Sequence, residues 1–263
     1  MPSLSAGYNP DDMASALAQM VDEVWKTKGI SEAQISEAVT TAFAKEIWKG
    51  VTDAFGGDLD KFDYDTPDYE MLSAIQKNVW QFSAAKNYQQ LRALSDALIG
   101  ADGKLLSKSD FLKAASAIND QFIKRYGATE YDLAVAGSQM ASKWVAIQRD
   151  AATLGFIEFD AVLDTQTTAL CRSLDGIIVK WDSDFAKRYY PPNHFGCRLT
   201  VRQRGNVNPT PASQLSYPDI QPMFATNMAQ SGLVFPAKHP YFTDMPENIR
   251  MQADALLKKQ SGL

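Results

Sequence analysis

Apolar side chains recur at intervals of three and four residues from Met13 to Ile147, the spacing of helices that bury one face. Asn9-Pro10-Asp11-Asp12 opens the first of these helices. Asn9 can cap, Pro10 suits the first helical position, and two acids favour the positive end of the helix dipole. Met13, Ala16, Leu17, Met20, Val21, Val24 and Trp25 follow on one stripe, and Lys28-Gly29 stops it. Ser31 with Gln34 fits a capping box for a second helix carrying Ile35, Val39, Ala42, Phe43, Ile47 and Val51, which ends near Gly56-Gly57. The pattern predicts a helical hairpin over 1–57.

A helical region over 58–154 follows. Its first residues, 58–66, are acidic and turn-like, and Thr66-Pro67 repeats the cap-plus-proline signal. Met71, Leu72, Ile75, Val79, Trp80 and Phe82 continue the helical spacing, then Leu91, Leu94 and Leu98. Gly100 to Gly103 reads as a turn. Ser107 or Ser109 can start a helix bearing Phe111, Ala114, Ile118 and Phe122, and Thr129 to Ala152 reads as another, with Tyr131, Val135, Met140, Trp144 and Ile147. Aromatic residues at this spacing are read as core.

The character changes after Gly155. Ile157 to Leu163 is rich in Ile, Phe and Val and predicts a buried strand, although its alternation is poor. Gly176 to Lys180 is a second strand. Arg198 to Arg202 is a third, with Leu199 and Val201 on one face and Arg198, Thr200 and Arg202 on the other. The run DSDFAKRYYPPNHFGC between them reads as a constrained loop. Residues 155–205 thus form a small α+β module. Residues 206–263 read as an extended proline-rich arm, because Pro209, Pro211, Pro218 and Pro222 interrupt ladders and helices, with a short terminal helix near 246–260. The expected fold class is α+β: a mostly helical N-terminal part, a small β-containing module and an extended C-terminal arm.

Composition narrows the picture. The 263 residues are 45% hydrophobic and 22% charged, which excludes disordered, collagenous and low-complexity classes. Two cysteines and two histidines exclude a disulfide-framed miniprotein and a multi-metal cluster. The net charge of -5 argues against general nucleic-acid binding, but the charge is uneven. Cys171 to Arg204 holds seven basic and three acidic residues, a net +4, which leaves -9 for the rest. The module is therefore a local basic patch, with Arg172, Arg198, Arg202 and Arg204 as candidate contacts to nucleic acid or a partner. A solvated strand face is the plainer reading. The N-terminus has neither the basic nor the apolar region of a signal peptide, and no apolar run approaches bilayer-spanning length. A cytosol-like compartment with reduced thiols is expected.

Both cysteines and one histidine fall close together: Cys171, His194 and Cys197. The His194-x-x-Cys197 spacing suits a metal-binding turn, and Asp164, Asp175 or water can supply a fourth ligand. The same residues also read as a reducible cysteine pair, or as packed cysteines beside a hydrogen-bonded histidine. Two catalytic readings stand beside these. One is a thiol nucleophile built on Cys171, His194 and Asp164. The other is a small nuclease, hydrolase or toxin-like effector built on His194, Arg198 and Asp175. No Walker loop, GxGxxG, HExxH or GxSxG occurs, and no complete catalytic motif is present.

The strings DTQTTALCRSLDG and YYPPNHFGCRLTV resemble the signature of the phage Mu F-like family of minor head, or head morphogenesis, proteins of tailed bacteriophages. The resemblance rests on Asp164, Cys171, Leu174, Asp175, Gly176, Pro191, Pro192, His194, Cys197 and Arg198. It is strong over 155–204 and looser over 60–242, where TPDYEMLSAIQKNVWQFSAAKNYQQL is similar to the helical region of a subgroup. It implies a low-copy structural component of the virion head, made in the host cytoplasm. The expected partners are portal or capsid proteins, with the module's arginines facing packaged DNA. It also implies a zinc set made of a CxxC at the first site and a CRC at the second. Thr168 and Leu199 stand here at two of those cysteine positions, so zinc is a minor expectation and no other cofactor is expected.

Overall fold

A computed structural model describes residues 7–30, 34–225 and 227–261. Helices α1 (Ala14–Thr27), α2 (Glu37–Phe55), α3 (Pro67–Asp96), α4 (Lys108–Asn119) and α5 (Gly127–Asp150) precede a three-stranded antiparallel sheet. The strands are β1 (Phe156–Ala161), β2 (Ile178–Lys180) and β3 (Leu199–Arg204), in spatial order β2-β1-β3. Two short helices, α6 (Ala169–Leu174) and α7 (Asp184–Tyr189), lie between the strands, and α8 (Met228–Ser231) and α9 (Glu247–Ser261) close the chain. The α+β expectation holds. Among the described residues no helix is long and apolar enough to cross a membrane.

The chain forms two compact units, each drawn from separated stretches. One comprises 1–50, 76–131 and 239–263, and the other 51–75 and 132–238. In the first, Met20, Val24, Leu91, Leu94, Leu98 and Phe111 make one apolar cluster, and Ala84, Tyr88, Ile249 and Ala253 a second. This unit also buries charge. Lys86 pairs with Glu130, both almost fully enclosed, and the ammonium lies 4.0 Å from the centre of the Phe43 ring. Burial pushes the Glu130 carboxyl up and the Lys86 ammonium down, each opposed by the other's charge. Tyr241 hydrogen-bonds Glu130, and Gln89 donates to the Tyr241 and Thr243 carbonyls. The Phe82 ring packs edge-on against His239.

Several boundaries differ from the sequence expectation. Pro10–Met13 is a 3-10 turn, capped by Asn9 as expected, before α1 begins. Ser31 lies outside the described residues; the α2 cap is Ser36, whose hydroxyl accepts from Val39 N at 3.3 Å. Ile35 therefore precedes the helix. Residues 67–96 make one continuous helix. Residues 120–126, between the two predicted helices, are wound as a π-helix that joins α4 to α5. Helices α6 and α7 fall in stretches read as loop. Thr168 and Ser183 nucleate them by accepting from Cys171 N and Ala186 N.

In the second unit β1 does alternate. Ile157 and Phe159 are fully buried, and Glu158 and Asp160 alternate with them on the other face. Ile157, Phe159, Val179, Leu199 and Val201 pack with Leu174, Phe185 and Tyr189 as its core. Both sheet edges are covered. Lys143 of α5 donates to the Val201 carbonyl at 3.1 Å and to Thr200 Oγ1 at 2.7 Å. On the outer side of β2, Thr210 N donates to the Ile178 carbonyl and Ile178 N donates to Thr210 Oγ1. The proline-rich stretch thus packs on its own unit. Tyr189 Oη donates to the Pro218 carbonyl, Tyr217 packs on Phe185, and a Cβ added to Gly137 of α5 would meet Val234 Cγ1 at 2.9 Å.

Two outcomes follow for the first unit. Glu130→Ala leaves a buried ammonium unpaired and is expected to cost about 3–5 kcal/mol by denaturant unfolding, whereas Lys86→Met with Glu130→Leu restores most of it. His239 is held neutral, its pKa lowered to about 4 by burial and by the Lys86 charge. The unfolded imidazole titrates near pH 6.5. The unfolded chain therefore binds the extra proton between those values, and stability falls as pH drops from 6.5 to 4, by at most about 3 kcal/mol. His239→Phe is expected to remove that part of the slope in unfolding curves recorded across this range.

Candidate functional site: the Cys171–His194–Cys197 cluster

The cluster is built from the segments that leave β1 and enter β3. Six residues of β1 pair with six of β3, from Phe156 opposite Arg204 to Ala161 opposite Leu199. Past β1 the chain turns at Asp164, whose Oδ1 accepts from Gln166 N at 2.9 Å, while Asp164 N donates to Thr167 Oγ1. Thr168 then starts α6. Its hydroxyl accepts from Cys171 N at 3.2 Å, which sets Cys171 in the first turn with its side chain buried. Leu174 enters the core. The Asp175 carboxylate accepts from Ala161 N at 2.8 Å, and Gly176, at φ 74°, donates its N–H to the Phe159 carbonyl. That left-handed turn is the physical need for glycine after Asp175.

The second segment follows α7. Pro191 and Pro192, joined by a cis peptide bond, are buried, and Asn193 Nδ2 donates to the Tyr189 carbonyl at 2.8 Å. A tight turn with Gly196 at φ 67° lets Cys197 N donate to the His194 carbonyl. His194 and Cys197 thereby face Cys171.

The Cys171 Sγ lies 3.0 Å from His194 Nε2 and 3.8 Å from Cys197 Sγ. His194 Nδ1 is 2.8 Å from the Phe195 carbonyl, which only an N–H can satisfy. Nε2 therefore presents a lone pair to Thr168 Oγ1, 3.1 Å away, and to Cys171, whose single S–H proton is shared between His194 and Cys197. The hydrogen bond to Cys171 raises the His194 pKa. The two thiols titrate as a pair. The hydrogen bond from Cys171, with backbone hydrogen bonds from Asn193, Leu199 and His194, lowers the Cys197 pKa to about 7. Donating that proton and being buried push the Cys171 thiol up. Thr168, Cys171, His194, Gly196 and Arg198 line a cavity of about 10 Å³, room for one water.

Of the other candidate residues, Arg198 lines the cavity beside the cluster, and the charged groups are engaged with one another. Arg198 forms a two-point ion pair with Asp164, at 2.6 Å from NH1 to Oδ2 and with NH2 on Oδ1. This holds the Asp164 carboxyl well below the usual range. Arg172 donates to the Asp164 carbonyl. Arg202 pairs with Asp160 at 2.7 Å and Arg204 with Glu158. Each of the three β3-side arginines reaches a carboxylate two positions beyond its cross-strand partner, so the pairs repeat along one diagonal. The strand arginines counted as a basic patch thus lie in a ladder with acids of β1. The expectation missed the acids because Glu158 and Asp160 sit outside Cys171 to Arg204. The alternation Ile157-Glu158-Phe159-Asp160 was the available signal.

Cys171, His194 and Cys197 have donor atoms within 4.8 Å of one another. A structural zinc is normally closed by four ligands. Both Asp164 oxygens are engaged by Arg198, Asp175 Oδ1 accepts from Ala161 N, and the Thr168 hydroxyl serves as a helix cap. The residues present do not fit a closed structural zinc site. Nor do the residues of the nuclease reading converge: Arg198 engages Asp164, while Asp175 caps the end of β1.

The Asp164–Arg198 pair gives a sign-specific outcome. Asp164→Asn is expected to lower the thermal midpoint at pH 7. Because the folded carboxylate is stabilised, the difference from the parent is full above pH 4 and shrinks progressively as pH falls from there to 2, toward the depressed folded pKa. Thermal scans on both proteins from pH 7 down to pH 2 check this.

No curated protein matches this chain, and no solved structure matches it. Residues 107–202, from the cap of α4 into β3, match the family model described as Phage Mu protein F like protein. The matched stretch contains Asp164, the whole cluster, β1 and the first part of β3. The stretch from Ser107 to Arg202 is thus similar to the phage Mu protein F like family.

Proposed function

We propose that this chain is a minor head protein of a tailed bacteriophage, a low-copy structural component that acts in head morphogenesis at the portal vertex. The family match over 107–202 carries this reading. The roles of the motif residues are in keeping with it. Asp164 ties two loops, Asp175 and Gly176 turn the chain back onto β1, and Pro191 and Pro192 are buried. These are scaffold roles. The cavity beside Cys171, about 10 Å³, is far below the several hundred Å³ of an organic substrate site. Partner recognition then belongs to surfaces outside the sheet, whose edges are covered, and the partners are portal or capsid proteins.

Peptide mass spectrometry of purified heads is expected to find the chain at few copies per particle, and asymmetric imaging to place it at the single portal vertex. Heads made without it should be defective. Normal heads from a deletion strain, together with absence of the chain from purified particles, would sink the reading.

A further inference from the structure

We infer that Cys171 and Cys197 are an oxidation site: hydrogen peroxide joins their sulfurs in a disulfide, with His194 taking the Cys171 proton. The sulfurs stand 3.8 Å apart, and a bonded pair sits at about 2.05 Å, so closure asks for a shift of under about 2 Å. One sulfur is on the first turn of α6 and the other on the turn into β3, so two short segments share the movement. The base is in place. His194 Nε2 is 3.0 Å from Cys171 Sγ, and the Phe195 carbonyl fixes the tautomer that leaves Nε2 unprotonated. Backbone hydrogen bonds from Asn193, Leu199 and His194 converge on Cys197 and favour its thiolate. With both its oxygens held by Arg198, Asp164 does not complete a metal site on the pair.

The cavity selects the oxidant. Cys171 and His194 line a space for one water, beneath the exposed Thr168 and Gly196. A peroxide molecule is little larger than water, whereas glutathione disulfide is many times larger. In the first step the Cys197 thiolate attacks one peroxide oxygen. The O–O bond breaks, leaving a sulfenic acid on Cys197, and the departing hydroxide takes up the proton that Cys197 gave up and leaves as water. In the second step the Cys171 proton passes to His194, 3.0 Å away, and the Cys171 thiolate attacks the Cys197 sulfur. The S–S bond forms, the S–O bond breaks, and hydroxide leaves as a second water with the proton from His194. Two thiols and one peroxide become one disulfide and two waters.

The full chain treated with stoichiometric hydrogen peroxide is expected to become lighter by two hydrogen atoms. Both cysteines should resist alkylation, and dithiothreitol should reverse the change. Cys171→Ser should stop at a dimedone-trappable sulfenic acid on Cys197. His194→Gln, shown to be folded by circular dichroism, should slow the reaction at neutral pH by roughly tenfold to a hundredfold. Glutathione disulfide should leave the pair unreacted over the same time. The proposal is overturned if both thiols stay alkylatable after peroxide. It is equally overturned if zinc added to the reduced chain binds with one-to-one stoichiometry and blocks the oxidation, or if glutathione disulfide reacts as fast as peroxide.

Discussion

Six residues of β1 lie opposite six of β3, and that register decides what meets beyond the strand ends. With Ala161 opposite Leu199, the segment leaving β1 and the segment entering β3 run side by side. Asp164 and Arg198 then fall within reach, and their two-point pair fixes the loop from which α6 starts. Thr168 is the next available cap, so Cys171 arrives against His194 and Cys197. The register itself is held by the buried face, since a slip of one residue would turn Ile157, Phe159, Leu199 and Val201 to solvent. An apolar requirement on one face of the sheet thereby positions polar chemistry at its end.

The other face of the same sheet is electrostatic. Arg204, Arg202 and Arg198 each lean to a carboxylate further along β1 and its following loop, which turns a local excess of positive charge into neighbouring pairs. Exposed pairs of this kind contribute little stability singly and are weakened by salt. Their effect lies in direction: all three lean the same way, so the ladder favours one register over its neighbours. The first unit handles charge in the opposite way, enclosing Lys86 with Glu130 beneath Phe43 and Tyr241. A buried pair of that kind costs desolvation and penalises any arrangement that separates its members.

Much of this was legible in the chain. The cap-plus-proline signals at Asn9-Pro10 and Thr66-Pro67 marked true starts, and Leu199 and Val201 were on the buried side as their spacing required. Cys171, His194 and Cys197 were grouped by their scarcity, and they do meet. What stayed hidden depends on partners far away in sequence. Asp164 as a fourth ligand was reasonable until Arg198 claimed both its oxygens. Helices α6 and α7 have six residues each, too short for periodicity, and only their Thr168 and Ser183 caps announce them. The Lys86–Glu130 pair could not be foreseen, because burial of a charged residue follows from packing, not from its neighbours in the chain.

Lys143 and Thr210 occupy the two margins of the sheet, one from a helix and one from the proline-rich stretch. An open strand margin is a template on which a second molecule can add its own backbone, and repetition of that event is the route to cross-β fibres. A three-stranded sheet has two such margins for one interior strand, so its exposure per residue is high. Here Val201 on one side and Ile178 on the other are already engaged by Lys143 and Thr210 of the same unit. Copies gathered at high local concentration can therefore crowd together without their strands becoming interchangeable.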